Sequence, residues 1–285
     1  MGMNFSFASP TPLDYFASLV HSDQDFALFE AACSLAQDEY PELDVQQVLG
    51  EVDQLLARIQ RRLPPDAAPL QKLRILIQFY FNDLKFGGNL NNYYDPDNSF
   101  VHALLRTRRG IPISLAVLWM ELAQGLGLTV HGVSFPGHFL VKVHLPMGQA
   151  MIDPMTGRSL SREELVEKLE PYRRRSVLAD DQEVPLGLYL QPAPARDILA
   201  RMLRNLKEIY KTLEDWQRLL AVQERLVTLL PESWPEYRDR GLVHAELGHA
   251  APALADLETY LAHTDGRVDV DAIATRVQEM RRHGG

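Results

Sequence analysis

The chain has 285 residues and a mass of 32.3 kDa, more than one compact core usually holds, so two units are expected. Hydrophobic residues at 46% and charged residues at 24%, with 17 glycines and 18 prolines, exclude wholesale disorder and a fibrous repeat. A formal charge of -9 argues against the dense basic stripe of a nucleic-acid binder, and the single cysteine, Cys33, excludes an internal disulfide and multi-cysteine metal knuckles.

The N-terminus has no basic stretch leading into an apolar one, and the longest apolar run, within residues 111–120, is far shorter than a membrane span. A cytoplasmic chain without membrane contact is expected, since a lone cysteine suits a reducing compartment. Met1-Gly2-Met3-Asn4-Phe5-Ser6 satisfies the myristoylation pattern, but six loosely specified positions match often by chance.

From residue 25 to 77 the apolar residues recur at helical spacing, first Phe26, Phe29, Cys33 and Ala36, then Val45, Val48, Leu49, Val52, Leu55, Leu56 and Ile59. Pro64-Pro65-Asp66 breaks that pattern, a further helix is expected over 70–84, and Gly87-Gly88-Asn89 should stop it. A polar loop over 89–99 precedes a short apolar stretch. Residues 111–126 read as a helix opened by Pro112, with apolar residues nearly all round, so it should be central and buried. Then the period changes to two: strands are expected over 129–135, 139–145 and 150–152, with a turn over 146–149 and Asp153-Pro154 ending the last.

A charged helix over 162–169 leads into a segment rich in charge and proline, where the domain boundary is expected: 1–190 for the first domain, 191–285 for the second. Beyond it everything reads as helical. A shift of 34 residues aligns Leu213 with Leu247, Leu220 with Leu254, Ala221 with Ala255 and Glu224 with Glu258. That is the length of a tetratricopeptide helix-turn-helix unit, and the segment resembles two such repeats closed by a charged final helix over 270–282.

No P-loop, dinucleotide glycine fingerprint, HExxH or GxSxG string occurs. One constellation remains: Arg109-Gly110-Ile111-Pro112-Ile113-Ser114-Leu115-Ala116 opening the buried helix, Pro136-Gly137-His138-Phe139 entering a strand, and Ile152-Asp153-Pro154 closing the next. His138 and Asp153 flank the predicted hairpin about symmetrically, which brings them to hydrogen-bonding range, with the register open by a few residues. A carboxylate oriented on a histidine beside a buried helix start is the geometry of a cysteine nucleophile site.

Residues 88–157 thereby resemble a transglutaminase-like core, in which Gly-x-Cys opens the helix. The resemblance implies a papain-like α+β fold with N-terminal helices and a small antiparallel sheet, followed by the all-α tetratricopeptide-like module. It places the histidine at His138, the aspartate at Asp153 and the nucleophilic cysteine at Pro112, so the nucleophile is missing. More closely, Tyr93-Tyr94-Asp95-Pro96-x-Asn98-Ser99, the Arg109 to Ala116 string and Phe135-Pro136-Gly137-His138-Phe139-Leu140 resemble the bacterial SirB1 family, over residues 28–261.

Proline cannot attack a carbonyl. Cys33 lies on the apolar side of an early helix and reads as packing. Ser114 is the other candidate nucleophile, but two helical residues turn it about 200° from Pro112, so a helix-start hydroxyl is its simpler role. Asn89, Tyr93, Tyr94, Asn98, Ser99 and Phe139 could line a groove beside His138; equally, Asp95-Pro96 and Asn98-Ser99 could be turn and cap residues. No metal is expected, because His138 and His144 share a strand face about 20 Å apart at roughly 3.3 Å per residue, and no cofactor is implied. Two functions follow: a non-catalytic interaction or regulatory protein whose repeats hold a protein or peptide, or a hydrolase or acyltransferase using His138 and Asp153 with Ser114 or an activated water.

Overall fold

The structure is a computed structural model that describes residues 10–22, 26–176, 185–264 and 269–283. The myristoylation-like string and part of the charged, proline-rich segment lie outside them. The chain divides into two compact units: Ala27–Ala36 with Glu42–Met202 form one, and Met1–Phe26, Gln37–Pro41 and Leu203–Gly285 form the other.

In chain order, α1 (Pro12–Leu19) is opened by a Thr11–Asp14 capping box, and α2 (Leu28–Ser34) runs into a 3₁₀ turn over Leu35–Asp38. Asp44 caps α3 (Val45–Gln60), accepting a hydrogen bond from Gln46 N at 2.9 Å. The helix expected over 70–84 is α4 (Pro69–Ile77) continued by a π-helical stretch, Gln78–Asp83. Its Tyr80 is fully buried, and the Tyr80 hydroxyl donates to the Leu115 carbonyl at 3.0 Å, pinning the wide turn to the central helix.

Gly87–Gly88 forms a short strand, β1, instead of merely stopping that helix. After α5 (Val101–Thr107) it pairs in parallel with β2 (Arg109–Gly110), tying the polar loop to the start of α6 (Pro112–Gly125). Helix α6 is buried from Pro112 through Met120, as its all-round apolar pattern requires, and packs on α2, α3, α4 and α5. It also packs on the first two strands of a four-stranded antiparallel sheet, β3 (Thr129–Val133), β4 (Leu140–Leu145), β5 (Gly148–Ile152) and β6 (Ser159–Leu160), in that order. The β4–β5 register pairs Leu145 with Gly148 and Val141 with Ile152, so the loop is Pro146-Met147, a two-residue hairpin. Strand β6 has too few residues to show a period. Val133, Leu140 and Met151 on the sheet, with Phe135 just beyond β3, pack with Leu165 and Leu169 of α7 (Arg162–Ser176) and with Leu186 of α8 (Leu186–Tyr189).

The second unit holds the end of α9 (Ala195–Thr212), then α10 (Trp216–Leu229), α11 (Trp234–Glu246), α12 (Ala250–Ala262) and α13 (Val270–His283). Helices α10 and α12 start 34 residues apart, the period read from the sequence. Gly241 permits α11 to lie close on α12: a Cβ there would meet Leu257 Cγ at 2.9 Å. Between α9 and α11, Glu236, only 4% exposed, accepts from Arg204 at 2.9 Å and Lys207 at 2.7 Å. Helix α1 packs on α10 in this unit. The fold is therefore an α+β core followed by an all-α repeat module.

Candidate functional site

His138 stands at the end of a tight turn that enters β4. Its backbone N–H donates to the Phe135 carbonyl at 3.0 Å, and Gly137 takes a φ of +65° to make that turn. A Cβ at Gly137 would fall 1.5 Å from the Tyr172 hydroxyl, so Tyr172 of α7 lies directly against the turn. Gly137→Ala is therefore expected to cost about 1–2 kcal/mol from the left-handed backbone alone. Comparing urea midpoints with and without Tyr172→Ala separates the backbone cost from the collision.

His138 Nε2 lies 3.1 Å from Asp153 Oδ1, and Asp153 also accepts from the Met155 backbone N–H at 2.8 Å. The hairpin register sets Asp153 opposite the start of β4 rather than level with His138, yet the two side chains span that offset and meet. Burial would raise the Asp153 carboxyl. The hydrogen bonds from His138 and Met155, with the charges of His138 and Lys168, prevail and hold it below its ordinary value. Such a carboxylate stabilises the fold fully above its unfolded value of about 3.9 and loses that contribution as pH falls through the lower folded value. Asp153→Asn should accordingly flatten the acid limb of a melting-temperature profile below about pH 4.

With Nε2 paired with Asp153, Nδ1 is the remaining ring nitrogen of His138. Pro112 is the first residue of α6, where the resemblance puts a thiol. Ser114 is fully buried, and its hydroxyl is 2.6 Å from the Asn98 carbonyl, 3.1 Å from the Ile111 carbonyl and 3.2 Å from the Ile111 N–H. Gly110 leaves room for it, since a Cβ there would meet Ser114 Oγ at 2.7 Å. The hydroxyl thus closes the helix start. Cys33 is 1% exposed, and burial, with the Glu121 and Glu30 carboxylates, pushes its thiol far above the usual range.

Among the residues expected to line a groove, Tyr93 and Tyr94 are exposed, whereas Asn98, Ser99 and Phe139 are buried. Asn98 organises the loop: its side chain donates to the carbonyls of Asn92 at 2.6 Å and Tyr93 at 3.2 Å, and accepts from Asn89 at 3.0 Å. Asp95 caps the 3₁₀ turn Pro96–Ser99 through Asp97 N. Met155 rests on Gly88, where a Cβ would lie 1.9 Å from its methyl carbon, linking the Asp153 turn to the polar loop.

One residue that sequence reasoning missed is Arg201 on α9. It donates to the His138 carbonyl at 2.8 Å and the Phe135 carbonyl at 3.4 Å, and its guanidinium lies over the Phe139 ring at 5.6 Å. No spacing rule in the sequence connects it to a turn more than sixty residues away. Among the described residues no group of three or more His, Cys, Asp or Glu could hold a metal ion, and no helix is long and apolar enough to cross a membrane.

Residues 46–204, more than half the chain, match the family described as the transglutaminase-like superfamily. The chain belongs to that superfamily. Residues 206–278 match a tetratricopeptide repeat family, whose members generally mediate protein–protein interaction. A UPF0162 protein of Xylella fastidiosa is 36% identical over 259 residues, covering 90% of this chain and 91% of its own. Another, from Pseudomonas aeruginosa, is 28% identical over 254 residues, covering 89% and 91%. UPF0162 protein YchA of Escherichia coli is 26% identical over 231 residues, covering 81% and 82%. No solved structure matches the chain. The superfamily match runs through Arg201, so the residue that grips the His138 turn falls within the matched region.

Proposed function

We propose that this chain is a non-catalytic interaction protein, a transglutaminase-like pseudoenzyme whose repeats hold a protein or peptide segment. The observation that carries the reading is Pro112 at the first position of α6, where the resemblance read from the sequence puts a thiol. A proline nitrogen in a peptide bond has neither a proton to give nor a free pair to attack with. The neighbouring hydroxyl, Ser114, is occupied with the helix start. In this reading residues 1–190 form the transglutaminase-like domain with its N-terminal helical part, 191–285 the repeat module that does the holding, and the protein is cytoplasmic. The likeness to the SirB1 family rests on the three strings around Tyr93, Arg109 and Phe135.

The test is an amidase and acyl-transfer assay on the purified full chain with casein and a primary amine. Turnover that disappears in His138→Ala overturns the proposal, and turnover absent from both proteins supports it. A second reading, a hydrolase working through an activated water, draws on the intact 3.1 Å pair of His138 and Asp153. The same assay decides between them.

A further inference from the structure

We propose that the turn around His138 carries a carboxylate-binding site built on Arg201, with the hydroxyls of Tyr93 and Tyr172 beside it. The inference concerns the core alone and does not depend on whether His138 and Asp153 catalyse anything.

Arg201 shares with Arg108 the lack of a carboxylate partner, but Arg108 lies over the Phe86 ring away from the His138 turn, and other partly buried arginines are paired. Arg225 is paired with Asp38, Arg240 with Asp256, and Arg238 with Asp239 and Asp269, so each of these buried positive charges meets a carboxylate. Arg204 likewise meets Glu236. Arg201 meets none among the described residues: two of its N–H groups go to the neutral carbonyls of Phe135 and His138. A guanidinium has five donors in a planar fork, so three remain. Burial works against its charge. A cation partly removed from water and left without a counterion gains most from an incoming anion.

The surroundings favour a carboxylate over a larger anion. One guanidinium supplies one positive charge, matching a monoanion, and its fork fits two coplanar oxygens. Tyr172 touches Gly137, one residue from the His138 carbonyl that Arg201 holds at 2.8 Å, and Tyr93 is close enough for the guanidinium charge to bear on its phenol. Both rings are partly open to solvent, 40% for Tyr172 and 45% for Tyr93, so a ligand can reach them. Asn98 holds the Tyr93 backbone and thereby fixes one side of the site before any ligand arrives. Such a carboxylate can come from the end of a peptide or from an acidic side chain.

The experiment is calorimetric titration of the full chain with acetyl-Ala-Ala-Phe bearing a free C-terminal carboxylate, and with its carboxamide. A third peptide, amidated at its terminus and carrying an internal Glu, distinguishes the two sources of the carboxylate. The expected result is about tenfold tighter binding of at least one carboxylate peptide than of the carboxamide, the size of one charge-assisted bidentate contact. Arg201→Gln should erase that ratio. Because Arg201 also holds the His138 turn, Tyr93→Phe with Tyr172→Phe, which keeps both rings, provides a second variant and should reduce the ratio severalfold. The proposal is overturned by equal affinity for all three peptides, by no binding of any, by a ratio that survives in both variants, or by inorganic phosphate competing as well as the carboxylate peptides do. None of these results bears on turnover, so the amidase assay fails or succeeds separately.

Discussion

Arg225→Ala is expected to destabilise the repeat unit by about 3 kcal/mol, near the lower end for stranding one member of a buried ion pair. Arg225 is 1% exposed, in the middle of α10. Its guanidinium donates to both Asp38 oxygens, at 2.5 and 3.0 Å, and lies over the Phe16 ring of α1 at 4.9 Å. Truncation therefore leaves a carboxylate without its partner and an aromatic ring without its cover. The Asp38 side chain keeps 29% of its exposure, so water can screen part of the loss. Chemical denaturation of the full chain, followed by helical circular dichroism, measures the cost. Arg225→Met combined with Asp38→Asn should recover most of it, because replacing both charges removes the unpaired one. If the double variant is as unstable as the single one, packing on Phe16 rather than charge pairing holds this point.

Pro112→Cys is expected to fold almost normally and to produce a thiol of depressed pKa. Position 112 opens α6, so the side chain would sit at the positive end of a 14-residue helix. Cysteines at helix N-termini near a histidine have pKa values of about 3.5–7.5 against about 8.5 for a free thiol, so thiolate at pH 7 should rise by an order of magnitude or more. Iodoacetamide alkylation against pH measures this directly. The buried Cys33 should contribute no background until the chain unfolds. A Pro112→Cys thiol that titrates near 8.5 would mean that position 112 does not correspond to the superfamily's nucleophile. A depressed pKa lost in His138→Ala would place the imidazole beside it.

Much of the fold was legible because burial imposes a period. Helix α6 could be read as central from residues apolar on every side, and the sheet from the change to alternation after Leu128. The His138–Asp153 pair was legible for a related reason: a hairpin makes neighbours of residues flanking its loop, and a side chain's reach tolerated the two-residue error in register. Strand β6 and the π-helical stretch were not legible. The first is two residues long, and the second depends on a buried tyrosine finding the Leu115 carbonyl on another helix. Ser114 was open to two readings, and the Asn98 carbonyl at 2.6 Å comes from a loop sixteen residues earlier that no helical wheel can place.

By itself the sequence determined the α+β core, the 34-residue helical repeat and the proline that opens the central helix, since local periodicity and residue identity are complete in the chain as written. Tertiary structure alone decided that α1 and residues 37–41 belong with the repeat helices, that Ser114 serves the helix start, and that Arg201 grips the turn of His138. These are contacts between segments far apart along the chain. Their partners are chosen by which buried charges and polar groups can satisfy one another once the cores have closed, a condition that no local pattern encodes.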